Sequence, residues 1–383
     1  MMLKRYSVNI TRTWCAALLA LSCSSLHAQV DTTGGAVDDE DYGQYDNVGF
    51  ADDGAKRFCS PKIEGLSPAK LISVGYDYQM GYQMIADSLR SQSPFAPWGN
   101  FNPDTGEVAF SHGLRLACNI PVVSKTSLVW QLGANYWEQQ YEFKDGNSLS
   151  NPMLTALRDN GLRTMGINTT VFKPLNEKQF LLFQGSADMS GDFQLSKLMP
   201  ARYLKYSVAA IWGKRSTERK QWGIGVSRTY RVGELNYIPI VLFNWTDASN
   251  KWGTEILFPA RAHVRRTINS RNMLFAGYEL EGQSYRLYRN NEPSANFDMR
   301  REDLEIRRGE IRLRLMYEFS LKGFVWMSVQ AGYRINYRYD VDRLTDGAEI
   351  YRGFGLVSDA PYVMVNKLTN PLYFNISLNL VSP

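Results

Sequence analysis

The chain has 383 residues, a formal net charge of +5, 21% charged and 13% aromatic residues, and three histidines. No stretch beyond the amino terminus stays apolar for the ~20 residues that a membrane helix needs. The few histidines are not grouped with cysteines or carboxylates at metal-ligand spacing, which leaves little for a metal centre or a metallohydrolase.

Residues 1–28 have the layout of an export signal. Lys4, Arg5 and Arg12 form a basic start, Trp14–Leu21 a short apolar core, and Leu26-His27-Ala28 a small-residue cleavage point. Cys23 is a lipidation candidate, but no large aliphatic residue stands where a lipoprotein signal requires one. Residues 29–55 carry eight acidic residues and no Lys or Arg, and from Lys56 onward 40 basic residues face 30 acidic ones. Residues 29–68 therefore read as an acidic, disordered periplasmic leader; entry of this leader into a basic lumen is the sharper alternative. The export route favours oxidation, so Cys59 and Cys118 are either a disulfide or two free thiols.

From Ala69 the chain alternates apolar and polar residues with the period of a β-strand. Ile72, Val74, Tyr76, Tyr78 and Met80 oppose Ser73, Gly75, Asp77 and Gln79. Val108, Phe110, Leu114 and Leu116 oppose Ser111, Gly113, Arg115 and Asn119. Strands follow over 126–142, 161–173, 181–189, 204–212 and 220–231. Further ones span 236–246, 253–267, 272–288, 303–320, 323–340 and 371–381. In the penultimate strand Ala331, Tyr333, Ile335, Tyr337 and Tyr339 share one face, and Gly332, Arg334, Asn336, Arg338 and Asp340 the other. Short connections (121–125, 174–178, 214–220) alternate with long ones (81–106, 143–160, 190–202, 289–302, 341–370), which is the rhythm of periplasmic turns and outer loops.

These thirteen segments cannot all be single crossings if both ends of the barrel lie on one side. The fault falls between 232 and 271, where Pro259 interrupts a strand that it cannot serve as a donor. A fold-back there gives two short strands, Trp252–Phe258 and Ala260–Ile268, and fourteen in all; one segment outside the wall gives twelve. The fold class is therefore all-β, a transmembrane antiparallel up-and-down barrel over residues 69–383, with fourteen strands preferred to twelve.

The export signal, the strand and loop rhythm, the aromatic outer faces and the final amphipathic strand resemble Gram-negative outer-membrane β-barrel proteins. The Ala28-Gln29 junction gives the chain the style of an uncharacterised Bacteroidota-type family. The ending Asn379-Leu380-Val381-Ser382-Pro383 departs from the terminal aromatic of that class. The resemblance implies outer-membrane lipid and the barrel-assembly machinery as partners and the cell outer membrane as location. It carries over no functional residues.

Function must then come from the lumen. Arg312, Arg314 and Glu318 on one strand and Arg334, Arg338 and Asp340 on the next point to one interior by parity, so these six are the candidate constriction. Buried charges must pair or stay hydrated, so they form either a filling ion-pair network or a basic ring that favours anionic solutes. Trp137 and Trp326 face inward by the same parity. Ser111 and His112 are adjacent, point to opposite sides of a strand and make no nucleophile and base pair. We expect no catalytic residue, cofactor, metal or nucleic-acid partner, and a passive channel or transporter for a small solute of unknown identity. The alternative is a closed structural or adhesive barrel acting through its loops; a lipid-modifying enzyme ranks third.

Overall fold

The computed structural model describes Cys59 and residues 62–88, 102–196, 201, 204–287, 304–343, 351–353 and 356–382. The export signal, the acidic stretch and parts of the long loops lie outside the described residues. Fourteen long strands form the wall. They are β1 (Lys70–Ala86), β2 (Asp104–Lys125), β3 (Leu128–Phe143), β4 (Leu162–Pro174), β5 (Gln179–Gly191), β6 (Lys205–Thr217), β7 (Lys220–Thr229), β8 (Asn236–Thr246), β9 (Trp252–Phe258), β10 (Arg261–Asn269), β11 (Asn272–Arg286), β12 (Leu304–Lys322), β13 (Val325–Arg343) and β14 (Leu372–Val381). Each pairs antiparallel with its neighbour in sequence, and β1 pairs with both β2 and β14, which closes the sheet. The fold-back at Pro259 is present: β9 and β10 pair through Arg261 and Leu257 across it.

The two sides of the wall differ as the alternation requires. Ile72, Val74, Tyr76, Tyr78 and Met80 are exposed on the outside, as are Ile167, Val208, Ile224, Leu315, Phe374 and Ile376. Inward positions carry small or polar residues, among them Gly75, Gly113, Gly133, Asn135, Asn168, Ser186, Gly332 and Ser377; Gly75 stands opposite Ser377, and Asn168 opposite both Gly133 and Ser186. β-Branched and aromatic residues on one side of a pleated sheet, with small polar ones on the other, suit a wall between hydrocarbon and water.

The bore is not uniform along the axis. At the end where the long loops lie, the β9–β10 hairpin stops at Val241 of β8 and at Glu279 of β11. The upper part of β11 instead meets β5 in a parallel bridge, Arg286 to Gly191, and Asp192 N donates to Arg286 O at 3.1 Å. On the other flank a return segment joins β13 to β1 through Met364–Val341, Lys367–Ile85 and Leu368–Met84. The loop end is thus cinched to eight wall strands, β1–β5 and β11–β13, plus that segment. A ring of this size is just filled by side chains, and it is filled. Tyr82, Met84, Val108, Tyr141, Leu162, Tyr285, Ile306, Tyr339 and Val341 form an apolar core on the axis.

One short helix, α1 (Pro152–Asn160), completes that core from above. Asn151 caps it by accepting from Met153 N at 3.0 Å, Pro152 occupies its first turn, and Gly161 ends it with φ of 65°. These are the end signals of an isolated helix. Met153, Leu154 and Leu157 are fully buried in the cluster. Alternation alone predicts a loop here, because nine residues hold too few helical periods to register.

Three sequence expectations change. First, β13 carries an extra residue at Tyr337, because Glu310 pairs with Asn336 but Gly309 with Arg338. A bulge of one residue exchanges the two faces. Tyr339 therefore turns inward into the apolar core, and Arg338 and Asp340 turn to the opposite side of the wall. Second, Val108 is not on the outer face but fully buried inside. Third, Cys59 and residues 62–68 do not stand apart from the barrel. Cys59 packs among the inward-facing Phe172, Phe180, Ile211 and Leu242. Glu64 pairs with Arg219 at 2.8 Å, and Ser67 Oγ donates to Glu255 at 3.0 Å. This segment crosses the interior at the turn end.

Cys59 and Cys118 are both free thiols. Cys118 stands opposite Ile72 and Ala134, both outward-facing, whereas Cys59 lies inside, so the wall separates them. Mild oxidation of the folded barrel is expected to leave no intramolecular disulfide, seen as unchanged mobility on a non-reducing gel. Leu157→Ala removes a side chain from the capped core. It is expected to cost about 2–5 kcal/mol in urea unfolding of the lipid-reconstituted protein.

Candidate functional site

The inner face of β12 carries a column of polar side chains: Glu318, Arg314, Arg312, Glu310 and Arg308, from the turn end toward the loop end. Strand alternation puts them in line, and Ile306, next above, already belongs to the apolar core. Glu310 is the hub. Its carboxylate accepts from Arg308 Nη2 at 2.8 Å and from Arg312 Nε at 2.6 Å, and Arg334 Nε of β13 lies at 3.1 Å. All four side chains are essentially inaccessible to solvent.

A second carboxylate set closes the network from β1 and β11. Arg312 Nη1 lies 3.1 Å from Glu281 and 3.6 Å from Asp77. Arg115 of β2 binds both: its Nη2 is 2.7 Å from Glu281, and its Nε donates to Asp77. Arg334 also donates to Gln79 Oε1, which accepts from Ser111 Oγ at 2.9 Å and from Gln139 Nε2 at 3.0 Å. Aromatic rings frame the cations. Arg308 and Arg115 each lie 4.8 Å from the ring of Trp137, Arg312 lies 5.2 Å from Tyr373, and Arg334 lies 5.3 Å from Tyr82. Such stacking suits guanidinium, which is planar and weakly hydrated.

Nearer the turn end the charges occur as separate pairs. Arg314 binds Glu279 and lies 2.8 Å from His263 Nε2. Glu318 pairs with Lys70 and accepts from Ser328 Oγ at 2.9 Å. Arg265, fully buried, pairs with Glu255 at 2.7 Å. Trp326 faces inward and packs with Met273, Phe275 and Val381.

Of the six residues singled out from the sequence, Arg312, Arg314, Glu318 and Arg334 share the interior. Arg338 and Asp340 do not. Arg338 instead pairs with Glu234 of the β7–β8 loop, beside Tyr362, whose hydroxyl donates to Glu234 at 2.9 Å. Arg352 joins this outer network through Asp342 at 2.8 Å. Burial, reinforced by the Glu234 charge, pushes the Tyr362 phenol above its ordinary range against the opposing Arg338 and Arg352. The loop seats against the wall through glycine: Gly233 has φ of 97°, and a Cβ on Gly282 would meet Gly233 N at 2.6 Å. Parity missed the exchange because a bulge leaves no mark in an alternating pattern.

Parity also passed over Arg308, Glu310, Glu281, Asp77 and Arg115 as site residues. Their signal was present: each sits at an inward position of an alternating strand and carries charge. His112 lies on the outer face, stacked on Tyr76 with its Nδ1 2.9 Å from the Tyr76 hydroxyl.

Comparison with known proteins gives a family and a loose likeness of shape. A family model described as a domain of unknown function (DUF6268) matches residues 147–353. No curated protein matches. Among solved structures, the NanC porin is 10% identical with a TM-score of 0.31, covering 80% of this chain and 100% of its own. An outer membrane channel from Pseudomonas putida F1 is 10% identical at 0.33, covering 83% and 97%. A Pseudomonas aeruginosa FadL homologue is 8% identical at 0.37, covering 83% and 91%. These TM-scores are too low to assign an activity.

Glu310→Ala leaves three buried guanidinium groups around a missing carboxylate. Loss of one partner of a buried ion network is expected to cost about 3–5 kcal/mol. Urea midpoints of the reconstituted variant and parent measure this, and Glu318→Ala, nearer the rim with Lys70 partly exposed, is expected to cost less.

Proposed function

This chain belongs to the family described as a domain of unknown function (DUF6268), and we propose that it acts as an outer-membrane channel or transporter for small hydrophilic solutes. The observation that carries this reading is the closed wall with an apolar exterior and an interior of small polar and charged residues. A barrel serving only as an anchor has no need of fourteen strands around a polar bore. With the strands laddered into a closed ring and aliphatic and aromatic residues outside, the wall suits hydrocarbon. Among sheets, closed barrels are found in bacterial outer membranes, and the basic, apolar start of the chain fits export to that compartment. No step of chemistry is invoked.

In this proposal the solute enters the wide turn end, past the segment containing Cys59, and meets the column of Arg314, Arg312 and Arg334. Glu318 stands near the entrance. Arg338 and Asp340 take no part in the lumen and hold the loops. The apolar core at the loop end, with α1 above it, blocks the axis in this conformation, so conduction requires that α1 and the residues below it give way. The same blocked axis favours a second reading, a permanently closed barrel that acts through its loops.

Planar-bilayer recordings separate the two. The parent protein is expected to open rarely. A Met153→Asp/Leu157→Asp double variant, which puts two carboxylates into the cap, is expected to open for most of the recording with unchanged wall structure by circular dichroism. A folded double variant that stays silent would remove the channel reading and leave the closed barrel.

A further inference from the structure

The ion network around Glu310 is not balanced. Four guanidinium groups (Arg115, Arg308, Arg312, Arg334) share three carboxylates (Asp77, Glu281, Glu310). The neighbouring Arg314–Glu279 pair is neutral in itself. One positive charge is left over; Arg115 is partly exposed, but Arg308, Arg312 and Arg334 have almost no solvent access, where an uncompensated ion is costly.

The surplus is localised by hydrogen bonding. Three guanidinium groups converge on the Glu310 carboxylate, and each uses only part of its fork. Among the described residues, Arg308 Nη1, Arg312 Nη2 and Arg334 Nη2 are buried and have no hydrogen-bond partner. The hydroxyl of Tyr82, whose ring lies beside Arg334, is buried and unpartnered as well. Native interiors rarely leave such donors unmet. Donors of one charge type around one hub, with a net charge of one, describe the complement of a single small anion.

The geometry points to a binding site for one small monovalent anion, an inorganic ion or the carboxylate of a small organic acid, held by Arg308, Arg312 and Arg334 beside Glu310. The site deepens the channel reading, and its role in permeation rests on that reading; binding itself does not. Within the lumen it is the point where an anionic solute exchanges water for guanidinium N–H donors, one step below the apolar core. It sets charge selectivity in the way that charged rings do.

Isothermal titration of the refolded, detergent-solubilised full barrel tests this, with sodium acetate and sodium chloride as the two probes in a large-anion buffer. The parent is expected to take up one equivalent of anion. Tighter acetate binding identifies an organic carboxylate as the fitting source, tighter chloride binding an inorganic ion, and either supports the site. Arg334→Gln removes the surplus charge and one donor, and is expected to weaken binding by about tenfold or more. Glu310→Gln adds a positive charge and is expected to bind more tightly than the parent, which a merely structural role for these arginines does not produce. Asp77→Asn makes the same change in charge at a second position should Glu310→Gln fail to fold. Absence of saturable uptake by the parent, an affinity indifferent to Arg334→Gln, or weaker binding after loss of a carboxylate would overturn the site. Anion uptake by a barrel that never conducts would leave the site standing and remove the channel; conduction without uptake would do the reverse.

Discussion

The structure depends on a constraint of solvent: a strand in hydrocarbon must find a partner for every backbone N–H and C=O. A sheet meets that demand only by closing on itself, and β1 closes this one by pairing with both β2 and β14. Closure then fixes the chemistry of the two faces, since successive side chains alternate across the wall. The outward parity carries the exposed aliphatic and aromatic residues, and the polar residues of the other parity must be satisfied inside.

Satisfaction inside takes two forms, set by the local width of the bore. Where the β5–β11 bridge narrows the ring, the interior is dry and side chains fill it, so inward positions turn apolar, as Ile306, Tyr339 and Val341 do. Below this level the full fourteen strands enclose more space, and charged residues meet across it in pairs and clusters. Arg308 and Glu310 mark the boundary, one residue pair below the core. Glu310 ties the column of β12 to β13 through Arg334, and Arg312 ties it to Asp77 of β1 and Glu281 of β11. Buried ion pairs of this kind fix an arrangement more than they add stability.

Both networks around β12 and β13 depend on the same bulge. The extra residue at Tyr337 lets Tyr339 complete the core while Arg338, on the other side, reaches Glu234 of a distant loop. One inserted residue thereby gives the strand an inner and an outer task at adjacent positions. The β7–β8 loop approaches this wall closely because Gly282 and Gly233 leave backbone facing backbone.

The sequence by itself determined the class of fold, because a period of two repeated over most of a chain admits few architectures. The parity of the connections and Pro259, which has no N–H to give a ladder there, favoured fourteen strands over twelve, and the closed sheet has fourteen. The inward placement of Arg312, Arg314, Glu318 and Arg334 followed from parity for the same reason. Three features were set only by the tertiary structure. They are the cinch between β5 and β11, the face exchange at Tyr337, and the meeting of Arg308, Arg115 and Asp77 with Glu310 and Glu281. Each joins residues far apart in the chain or shifts register by one, and alternation along a strand carries no information about which distant strand lies across the bore.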